Sequence, residues 1–374
     1  MHIGRPKGYY ASSGEYWKFC EMNNLNNVTY TSFLPLSSSQ RNPPTSIYKT
    51  THWKFDGRYL HENPETFVIS IPNGRVCGKM GAIITHNDRL ILDVSLQFGI
   101  GKNVKKVILH PVFNYLKFPK CQEIPESIAV LATSGGEGYF HWLTDALPRL
   151  EILRKTLSDE TEHINKYVVN KGIPIIEKSL KMLGISSDRL IFADSNFHIQ
   201  AKHLVVPSLP GLTGDPPPWV CTFLRENFLK HRADIPPITK LYISRSKARY
   251  RRVTNEEDVL ECLAKFDFTP VWLEDHDLAT QIALFSNAEF IVAPHGAGLT
   301  NLMWCNSSTK VLEIFSPNYV NVCFWAIANQ IGLEYYYLIG NGGKPPDYFD
   351  PHLVQDHINI PIEELIQSLK ILLK

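Results

Sequence analysis

The second half of the chain alternates strand and helix patterns, and this alternation limits the possible fold more than any other feature. Short apolar runs typical of buried strands, such as "KLYISR", "EFIVAP" and "KVLEIF", are separated by helical patterns. The helix "DLATQIALFSNA" is predicted to be capped by Asp277, and "TNEEDVLECLAKF" by Thr254, with Glu257 completing a capping box. Such alternation predicts a parallel sheet with helices on both faces, a Rossmann-like domain.

A proline-rich segment separates this region from the residues before it. Residues 207–218, "PSLPGLTGDPPP", contain five prolines and two glycines, which excludes a helix interior or a central strand. We therefore predict one domain over 61–215 and a second over 216–354. Residues 1–60 are rich in Asn, Ser, Tyr and Pro with weak periodicity, so we expect an irregular N-terminal extension.

Strand patterns also occupy the first predicted domain. "GAIITHNDRLILDVS" predicts a hairpin that turns at "HND", and buried strands such as "SIAVLATSG" and "KYVVN" follow it. At the other end of the chain, residues 355–374 include the amphipathic pattern "PIEELIQSLKILLK". We expect this helix to pack on a domain, with the first domain as a candidate; attachment to a membrane surface is the alternative.

The composition restricts the classes of partner. The 374 residues are 44% hydrophobic and 20% charged, with a formal net charge of +1, so no overall field recruits nucleic acid or an anionic membrane. Any anion site must be local.

The cysteines and the N-terminus bear on the compartment. The seven cysteines form no C-x-x-C pair, which is typical of reduced thiols. The N-terminal stretch "MHIGRPKGYYASSGEYWKF" lacks the apolar core of a signal peptide. We expect a cytoplasmic protein.

The turn "IVAPHGAGLTN", residues 291–301, is a candidate anion site. His295, Gly296, Ala297 and Gly298 lie between a strand pattern and a helical pattern, and such a junction directs unpaired backbone N–H groups outward. Asn301 stands where a dinucleotide fingerprint has its third glycine, so this is not a standard dinucleotide motif. The alternative is an ordinary strand–helix turn in which His295 caps or packs.

A basic loop follows the strand "KLYISR". The strand delivers Arg245 to its carboxyl end, where open α/β sheets bind ligands, and Arg249 and Arg252 follow in the loop. Arginine suits bidentate phosphate contacts, whereas we interpret Lys247 and Arg251 as solvated. Nucleic-acid binding is disfavoured because the rest of the chain lacks basic character and no aromatic platform is nearby.

Arg245 and the His295 turn are expected to converge, because both follow strands of one parallel sheet. This convergence predicts a shared diphosphate and nucleotide site, to which we assign Arg245, Arg249, Arg252, residues 295–298 and Asn301. Glu313 ends the next strand, a position from which acids often accept hydrogen bonds from ribose hydroxyls. A strand-end ion pair with Lys310 or an arginine is the alternative.

The stretch "GGEGYFHWLTDALPRL", residues 135–150, carries a candidate catalytic pair. His141 and Asp145 are four residues apart and share one helix face. Asp145 could act as general base on an acceptor hydroxyl, with His141 orienting it. The alternatives are a surface pair worth about a few tenths of a kcal/mol, or pairing of Asp145 with Arg149, which would weaken it as a base. Adjacent acids in "LEDHDL" rarely converge on one ion, so we predict no metal site.

Four separated motifs resemble glycosyltransferase family 61 in order and spacing: "YFHWLTDALPRL", "LYISRSKARYRR", "DLATQIALFSNAEFIVAPHGAGLTNLMWC" and "KVLEIF". "RVCGKMGAIITHNDRLILDVS" is similar to the start of this domain in bacterial members, and the resemblance covers roughly residues 65–340. It implies the GT-B architecture, two Rossmann-like domains facing across a cleft. Residues 61–215 would form the acceptor side, and residues 216–354 would bind the nucleotide sugar.

The resemblance also implies residue roles. Asp145 matches the candidate base beside His141, Arg245 and the 295–298 turn match the diphosphate-binding positions, and Glu313 matches the acid after them. Family members invert the anomeric centre without a metal or other cofactor. We therefore expect transfer of a sugar from a nucleoside diphosphate sugar to a hydroxyl of a glycan, glycolipid or surface polysaccharide. The alternatives are a non-catalytic nucleotide-sugar or glycan-binding protein, and a nucleotide-sugar epimerase of GT-B fold.

Overall fold

The computed structural model describes residues 4–25, 27–98, 104–115, 118–157 and 163–374. The chain divides into two compact units. The first unit comprises Met1–Ser37 and Asn63–Pro216, and the second comprises Ser38–Glu62 and Pro217–Lys374. Both units are mixed α/β with parallel strand pairs, which confirms the α/β class predicted from the sequence.

Strands and helices up to residue 216 alternate less regularly than those that follow. The strands are β1 (Gly8–Tyr10), β2 (Thr29–Leu34), β3 (Ser37–Gln40), β4 (Leu60–Asn63), β5 (Thr66–Pro72), β6 (Arg75–Cys77), β7 (Ala82–Ile84), β8 (Arg89–Ile91), β9 (Gln122–Val130), β10 (Lys166–Asn170), β11 (Leu190–Ala193) and β12 (His198–Pro207). The α-helices are α1 (Ser13–Met22), α2 (Tyr139–His141), α3 (Arg149–Leu157) and α4 (Ile175–Met182). A π-helical turn covers Trp142–Ala146, and 3₁₀ segments cover Val104–Leu109, Pro111–Phe113 and Ser187–Arg189.

The sheet of the first unit is only partly parallel. Its order is β1-β8-β7-β6-β12-β9-β10-β11, with β5 also on β12 and β2 on β5. Strand β9 runs parallel to β10 and β12, whereas β5 and β6 are antiparallel to β12. The predicted hairpin is confirmed, since β7 and β8 pair antiparallel around the "HND" turn. The Rossmann-like character expected for the whole first domain is therefore confined to β9–β12.

The N-terminal residues differ from the irregular extension that we expected. Ser12 caps α1 by accepting a hydrogen bond from the Glu15 backbone N–H, and Tyr16 on this helix is fully buried. Ser13 donates to Asp93 at 2.8 Å, which fixes the helix to the strand–loop region of the first unit. Residues 38–62, in contrast, belong to the second unit.

The second unit contains a fully parallel sheet. Its strands are β13 (Lys240–Ile243), β14 (Thr269–Val271), β15 (Phe290–Pro294), β16 (Lys310–Phe315) and β17 (Glu334–Ile339). The α-helices are α5 (Pro218–Phe228), α6 (Glu256–Ala264), α7 (Leu278–Asn287), α8 (Cys323–Ile331) and α9 (Ile362–Leu372), and 3₁₀ segments cover Leu229–His231, Leu273–Asp275 and Ala297–Trp304. The sheet order is β14-β13-β15-β16-β17, so the alternation predicted for this region is confirmed.

Two helix caps test the sequence signals. The prediction for Asp277 is confirmed, because its side chain accepts a hydrogen bond from the Thr280 N–H at 2.9 Å. The capping box at Thr254 is wrong, since α6 begins one residue later, after Asn255. Thr254 instead donates its N–H to the carbonyl of Ile358 at 2.8 Å, in a strand-like bridge to the C-terminal segment.

The C-terminal helix α9 packs in the core of the second unit. Leu365 and Leu369 are fully buried there against apolar residues of α6 and of the sheet. The amphipathic pattern is therefore explained by intramolecular packing, and the first domain is not needed as its partner. Across the described part of the chain, we find no helix with the length and apolarity that a membrane crossing requires.

Candidate functional site

The parallel sheet of the second unit has one topological switch point. If the five strands are numbered along the chain, their order across the sheet is 2-1-3-4-5. The chain leaves β13 toward one edge of the sheet and later returns to β15 on its other side, so the direction of the connections reverses between these two neighbouring strands. Ligands of open α/β sheets bind at the carboxyl ends of the strands that flank such a point. Arg245 follows β13 closely and His295 follows β15 directly. The structure thus brings together the two sequence features that we expected to converge.

The Arg245 guanidinium is held against the turn by the basic loop itself. Its Nη2 donates to the carbonyl of Tyr250 at 2.9 Å, and its Nε donates to that of Arg251 at 3.2 Å. A Cβ atom on Gly296 would lie only 1.8 Å from Nη1, so Gly296 allows the guanidinium to rest directly on the backbone of the turn. Burial, and then the charge of Arg251, lower the pKa of Arg245 to about 10, so the group remains a cation near neutral pH.

Arg251 is a site residue that the sequence analysis missed. Its Nε donates to the His295 carbonyl at 3.1 Å, and its guanidinium lies over the Tyr319 ring at 5.3 Å from the centroid. Its φ of 54° lies in the left-handed region, which is uncommon for a residue with a side chain. No spacing signal identifies it, because the backbone reversal at Arg251 decides which arginine of the loop returns to the turn.

The two arginines that we expected beside Arg245 lie elsewhere. Arg249 is exposed and rests over the ring of Tyr250, 5.1 Å from its centroid. Arg252 is also exposed, and its backbone N–H donates to His357 Nδ1 at 3.1 Å. Neither side chain forms a hydrogen bond, an ion pair or a ring contact with the 295–298 turn, so Arg251 takes the place that we had assigned to them.

His295 is fixed by a buried relay of polar groups. Its Nδ1 bonds to one carboxylate oxygen of Glu313, and the hydroxyl of Tyr335 donates to the other. Glu313 is fully buried. This placement differs from the ribose contact that we expected for Glu313, and also from the alternative pair with Lys310. Glu313 instead orients the imidazole, and Tyr335 could not be recognised from the sequence because it lies on the next strand, β17.

The residues after Gly296 form a short 3₁₀ helix, Ala297–Trp304, and the Leu299 N–H donates to the Gly296 carbonyl at 2.9 Å. The first N–H groups of a helix have no partners within it. Asn301 is fully buried, where its Nδ2 donates to the Gly298 carbonyl at 3.0 Å and its Oδ1 accepts from Trp304 at 2.8 Å. Asn301 therefore holds the turn in place, unlike the direct donor contact that we predicted.

His141 and Asp145 form a hydrogen-bonded pair in the first unit. His141 Nδ1 and Asp145 Oδ2 are 2.8 Å apart, and the Thr144 hydroxyl donates to the other oxygen of Asp145 at 2.9 Å. The Asp145 side chain is 7% exposed and that of His141 is 27% exposed. Gly135, at φ 77°, packs against the imidazole, since a Cβ there would lie 2.7 Å from His141 Cδ2. The imidazole is thus the solvent-accessible member of an oriented pair.

A widened helical turn carries Asp145. The residues Trp142–Ala146 are π-helical, and the Leu147 N–H donates to the Trp142 carbonyl at 2.8 Å. Pro148 explains the widening, because it has no N–H and its ring would clash with the carbonyl of Thr144 in a regular α-helix. Single π turns of this kind occur often at functional sites.

The alternative pairing of Asp145 with Arg149 is not observed. Arg149 is fully buried and donates to the carbonyls of Ala132, at 2.8 Å, and Pro207, at 3.2 Å. Burial lowers its pKa to about 9. Arg149 therefore ties its helix to β12 and to the residues just after β9, and Asp145 keeps His141 and Thr144 as its partners.

The acidic stretch "LEDHDL" has structural roles. Asp275 pairs with Lys247, whose Nζ lies 2.5 Å from its carboxylate, and Asp277 caps α7. Among the residues that the structure describes, no three His, Cys, Asp or Glu side chains gather as metal ligands would.

One segment of the chain is similar to a known protein family. The model of the family described as Glycosyltransferase 61 matches residues 139–312. Residues 139–312 are therefore similar to glycosyltransferase family 61. One relative, the EGF domain-specific O-linked N-acetylglucosamine transferase of Drosophila melanogaster, is 32% identical over 117 residues, which is 29% of this chain and 22% of the relative. The chain thus matches less than a quarter of that relative's length.

The family 61 segment contains most of the geometry described above. His141, Asp145, Arg245, Arg251 and the 295–298 turn all lie within it. Glu313 lies one residue beyond its end, and its partner Tyr335 lies further along the chain. The supporting relay is therefore completed by residues outside the matched segment.

Acid is expected to destabilise the protein in part through His295. Burial lowers the pKa of His295, although Glu313 opposes the shift. Below about pH 6.5, the ordinary value for histidine, the unfolded state binds a proton that the folded state does not, so stability falls as the pH drops. Urea unfolding at pH 7 and pH 5 should show that the free energy of unfolding falls less in His295→Gln than in the wild type. The control is His231→Gln, because His231 is exposed. If His295→Gln loses as much unfolding free energy between pH 7 and pH 5 as the wild type does, the prediction is contradicted.

Proposed function

We propose that this chain transfers a sugar from a nucleoside diphosphate sugar to an acceptor hydroxyl, with inversion and without a metal ion. The match of residues 139–312 to the family 61 model supports glycosyl transfer as the reaction class. The observation that carries the donor site is the placement of Arg245 on Gly296 at the switch point between β13 and β15. A cation is thereby positioned where α/β sheets of this order bind their ligands.

The switch point is suited to the charge of a diphosphate leaving group. Arg245 and Arg251 bring two guanidinium groups to the 295–298 turn. The start of the 3₁₀ helix adds N–H groups without partners in the helix. Groups that are fixed in advance stabilise developing charge without having to reorganise during the reaction. In this proposal they do for the diphosphate what a divalent cation does in metal-dependent enzymes.

The His141–Asp145 pair is proposed to activate the acceptor hydroxyl. The sequence analysis assigned the base to Asp145, but Asp145 is nearly buried and both of its oxygens accept hydrogen bonds. The more exposed His141 is the better base, with Asp145 fixing its tautomer through Nδ1, as the carboxylate does in serine protease triads. An inverting transfer needs one such base. The proposal includes the GT-B arrangement that the resemblance implies, in which the first unit supplies the base and the second binds the donor.

The name of the Drosophila relative adds candidates for the substrates. It indicates N-acetylglucosamine as the sugar and a protein EGF domain as the acceptor of that enzyme. For this chain, both join the glycan, glycolipid and polysaccharide acceptors already proposed. The described geometry supports the diphosphate and the hydroxyl chemistry, which these substrates share.

Nucleotide binding can be tested by thermal unfolding of the purified protein with EDTA present. We expect one nucleoside diphosphate, and the nucleotide sugar built on it, to raise Tm. A ligand at 100 times its Kd stabilises the folded protein by about 2.7 kcal/mol. The rise should disappear in Arg245→Ala. The matched control is Lys247→Ala, which removes a cation from the same loop where it pairs with Asp275. A rise that needs a divalent cation, or one that survives in Arg245→Ala, would contradict the proposed site.

A further inference from the structure

The second unit contains a cavity that the proposed donor site does not use. Its volume is about 660 Å³, and its lining comes from residues 47–56 and from residues 317–348. Tyr337 and Ile339, at the carboxyl end of β17, form one side. The cavity therefore lies at the carboxyl ends of the strands, as the switch point does, but beside β17. Strand β16 separates β17 from β15.

Aromatic rings line this cavity in two contacting groups. The rings of His52 and Trp53 are stacked at 5.8 Å, and Tyr348 packs on Trp53 at 5.7 Å. Tyr48 and Tyr337 form a second contact at 5.8 Å. Rings whose edges carry polar atoms are typical of sites that hold amphipathic ligands. Because His52 and Lys54 Nζ, which lies 4.8 Å from the ring centroid, both cover Trp53, the exposed Tyr348 ring is the open aromatic face of the group.

Tyr348 is held in the cavity wall at an energetic cost. Its φ of 64° lies in the left-handed region, and the residue is 77% exposed. An exposed tyrosine gains little from burial that could offset this conformation, and such outliers are common at ligand clamps. The loop is anchored close by, because Lys54 forms an ion pair with Asp350. The backbone thus presents the Tyr348 ring to solvent from a fixed support.

The polar lining of the cavity is balanced in charge. The lining includes two lysines, Lys49 and Lys344, and two aspartates, Asp56 and Asp347. Burial lowers the pKa of His52, the remaining ionisable imidazole of the wall. A phosphate would meet both carboxylates and an organic cation would meet both ammonium groups. A neutral ligand with an apolar face and several hydroxyls meets neither difficulty, because each hydroxyl can both donate and accept a hydrogen bond.

We propose that this cavity binds a pyranose ring of a neutral saccharide, with its apolar face on the Tyr348 ring that Trp53 supports, and its hydroxyls toward Asp56 and Asp347. The reason for a sugar to reach this site rests on the proposed glycosyl transfer. The ring is either part of the acceptor glycan or the sugar of the nucleotide donor. Both sources offer the same chemistry to the aromatic wall.

The test removes the Tyr348 ring without harming the fold. Tyr348→Gly suits the left-handed backbone, so Tm should stay the same or rise. Its matched control is His352→Gly, which relieves a second left-handed residue of the same loop, at φ 52°, whose side chain does not line the cavity. Trp53→Ala is the second variant. Each protein is measured on an array of neutral oligosaccharides, and by thermal unfolding with nucleoside diphosphates and their sugars.

At least tenfold weaker saccharide binding in Tyr348→Gly and Trp53→Ala, with His352→Gly unchanged, is the expected result. Weakened oligosaccharide binding alone would assign the ring to an acceptor glycan. Weakened binding of the nucleotide sugar, with the free nucleoside diphosphate unaffected, would assign it to the donor. Binding to no saccharide of either kind, or unchanged binding in both variants, would overturn the inference. Transfer activity measured in parallel keeps the two proposals separate, since wild-type turnover in Tyr348→Gly would leave the proposed function intact.

Discussion

His141→Gln is expected to lower kcat by roughly 10²–10⁴-fold, the usual contribution of a positioned general base. Glutamine retains polarity and size but cannot take a proton from the acceptor hydroxyl. Asp145→Asn should cost a similar factor, because the neutral amide can donate its own N–H to Nδ1, which favours the wrong tautomer of His141, and it no longer stabilises the imidazolium. The double variant should be no slower than the worse single variant, since residues that act as a unit are not additive.

These variants need a control in an ordinary helical pair. Glu151 and Lys155 in α3 are also four residues apart, with the charged atoms at 3.8 Å. Glu151→Gln should leave kcat unchanged, and all three single variants should retain the wild-type Tm within a few degrees. Full activity in His141→Gln, together with loss of activity in Asp145→Asn, would assign the role of general base to Asp145. Full activity in both would contradict a catalytic role for the pair.

The parallel sheet of the second unit could be predicted because its strands are buried on both faces. Such strands are continuous apolar runs, and their helices have their own local signals. The first unit was harder to predict, because β5 and β6 pair antiparallel with β12, more than a hundred residues away along the chain. The position of residues 38–62 is equally non-local. The Trp325 side chain, for example, donates to the carbonyl of Asn42 at 3.0 Å.

The candidate site was predictable in its location but not in its detailed contacts. Strand ends could be recognised from the sequence, so Arg245 and His295 were found. The selection of Arg251 depends on a single left-handed backbone conformation, which its local sequence does not signal. The burial of Glu313 depends on Tyr335 from a neighbouring strand. Side-chain roles at the edge of a sheet therefore follow from tertiary contacts that periodicity does not encode.

Gly296→Ala is expected to weaken nucleotide binding by roughly 10- to 100-fold, the equivalent of one or two charge-assisted hydrogen bonds. The glycine is not required by its backbone, since its φ of 175° is extended and open to any residue. It is required by Arg245, because the new Cβ would lie 1.8 Å from Nη1 and displace the guanidinium from the turn. A long side chain can move aside at low cost, so stability should change by less than about 1 kcal/mol.

Gly298→Ala separates this effect from a general disturbance of the turn. A Cβ at Gly298 would lie 2.6 Å from Leu273 Cδ1, and its three nearest atoms belong to Leu273 and Ile243 and not to Arg245. It should therefore reduce stability by a similar amount while leaving the Arg245 position intact. Kd for the nucleoside diphosphate, measured by calorimetry on both variants, should rise much more in Gly296→Ala than in Gly298→Ala. Equal losses would mean that the turn tolerates no added atoms at either glycine, and that the Arg245 contact is not what binds the diphosphate.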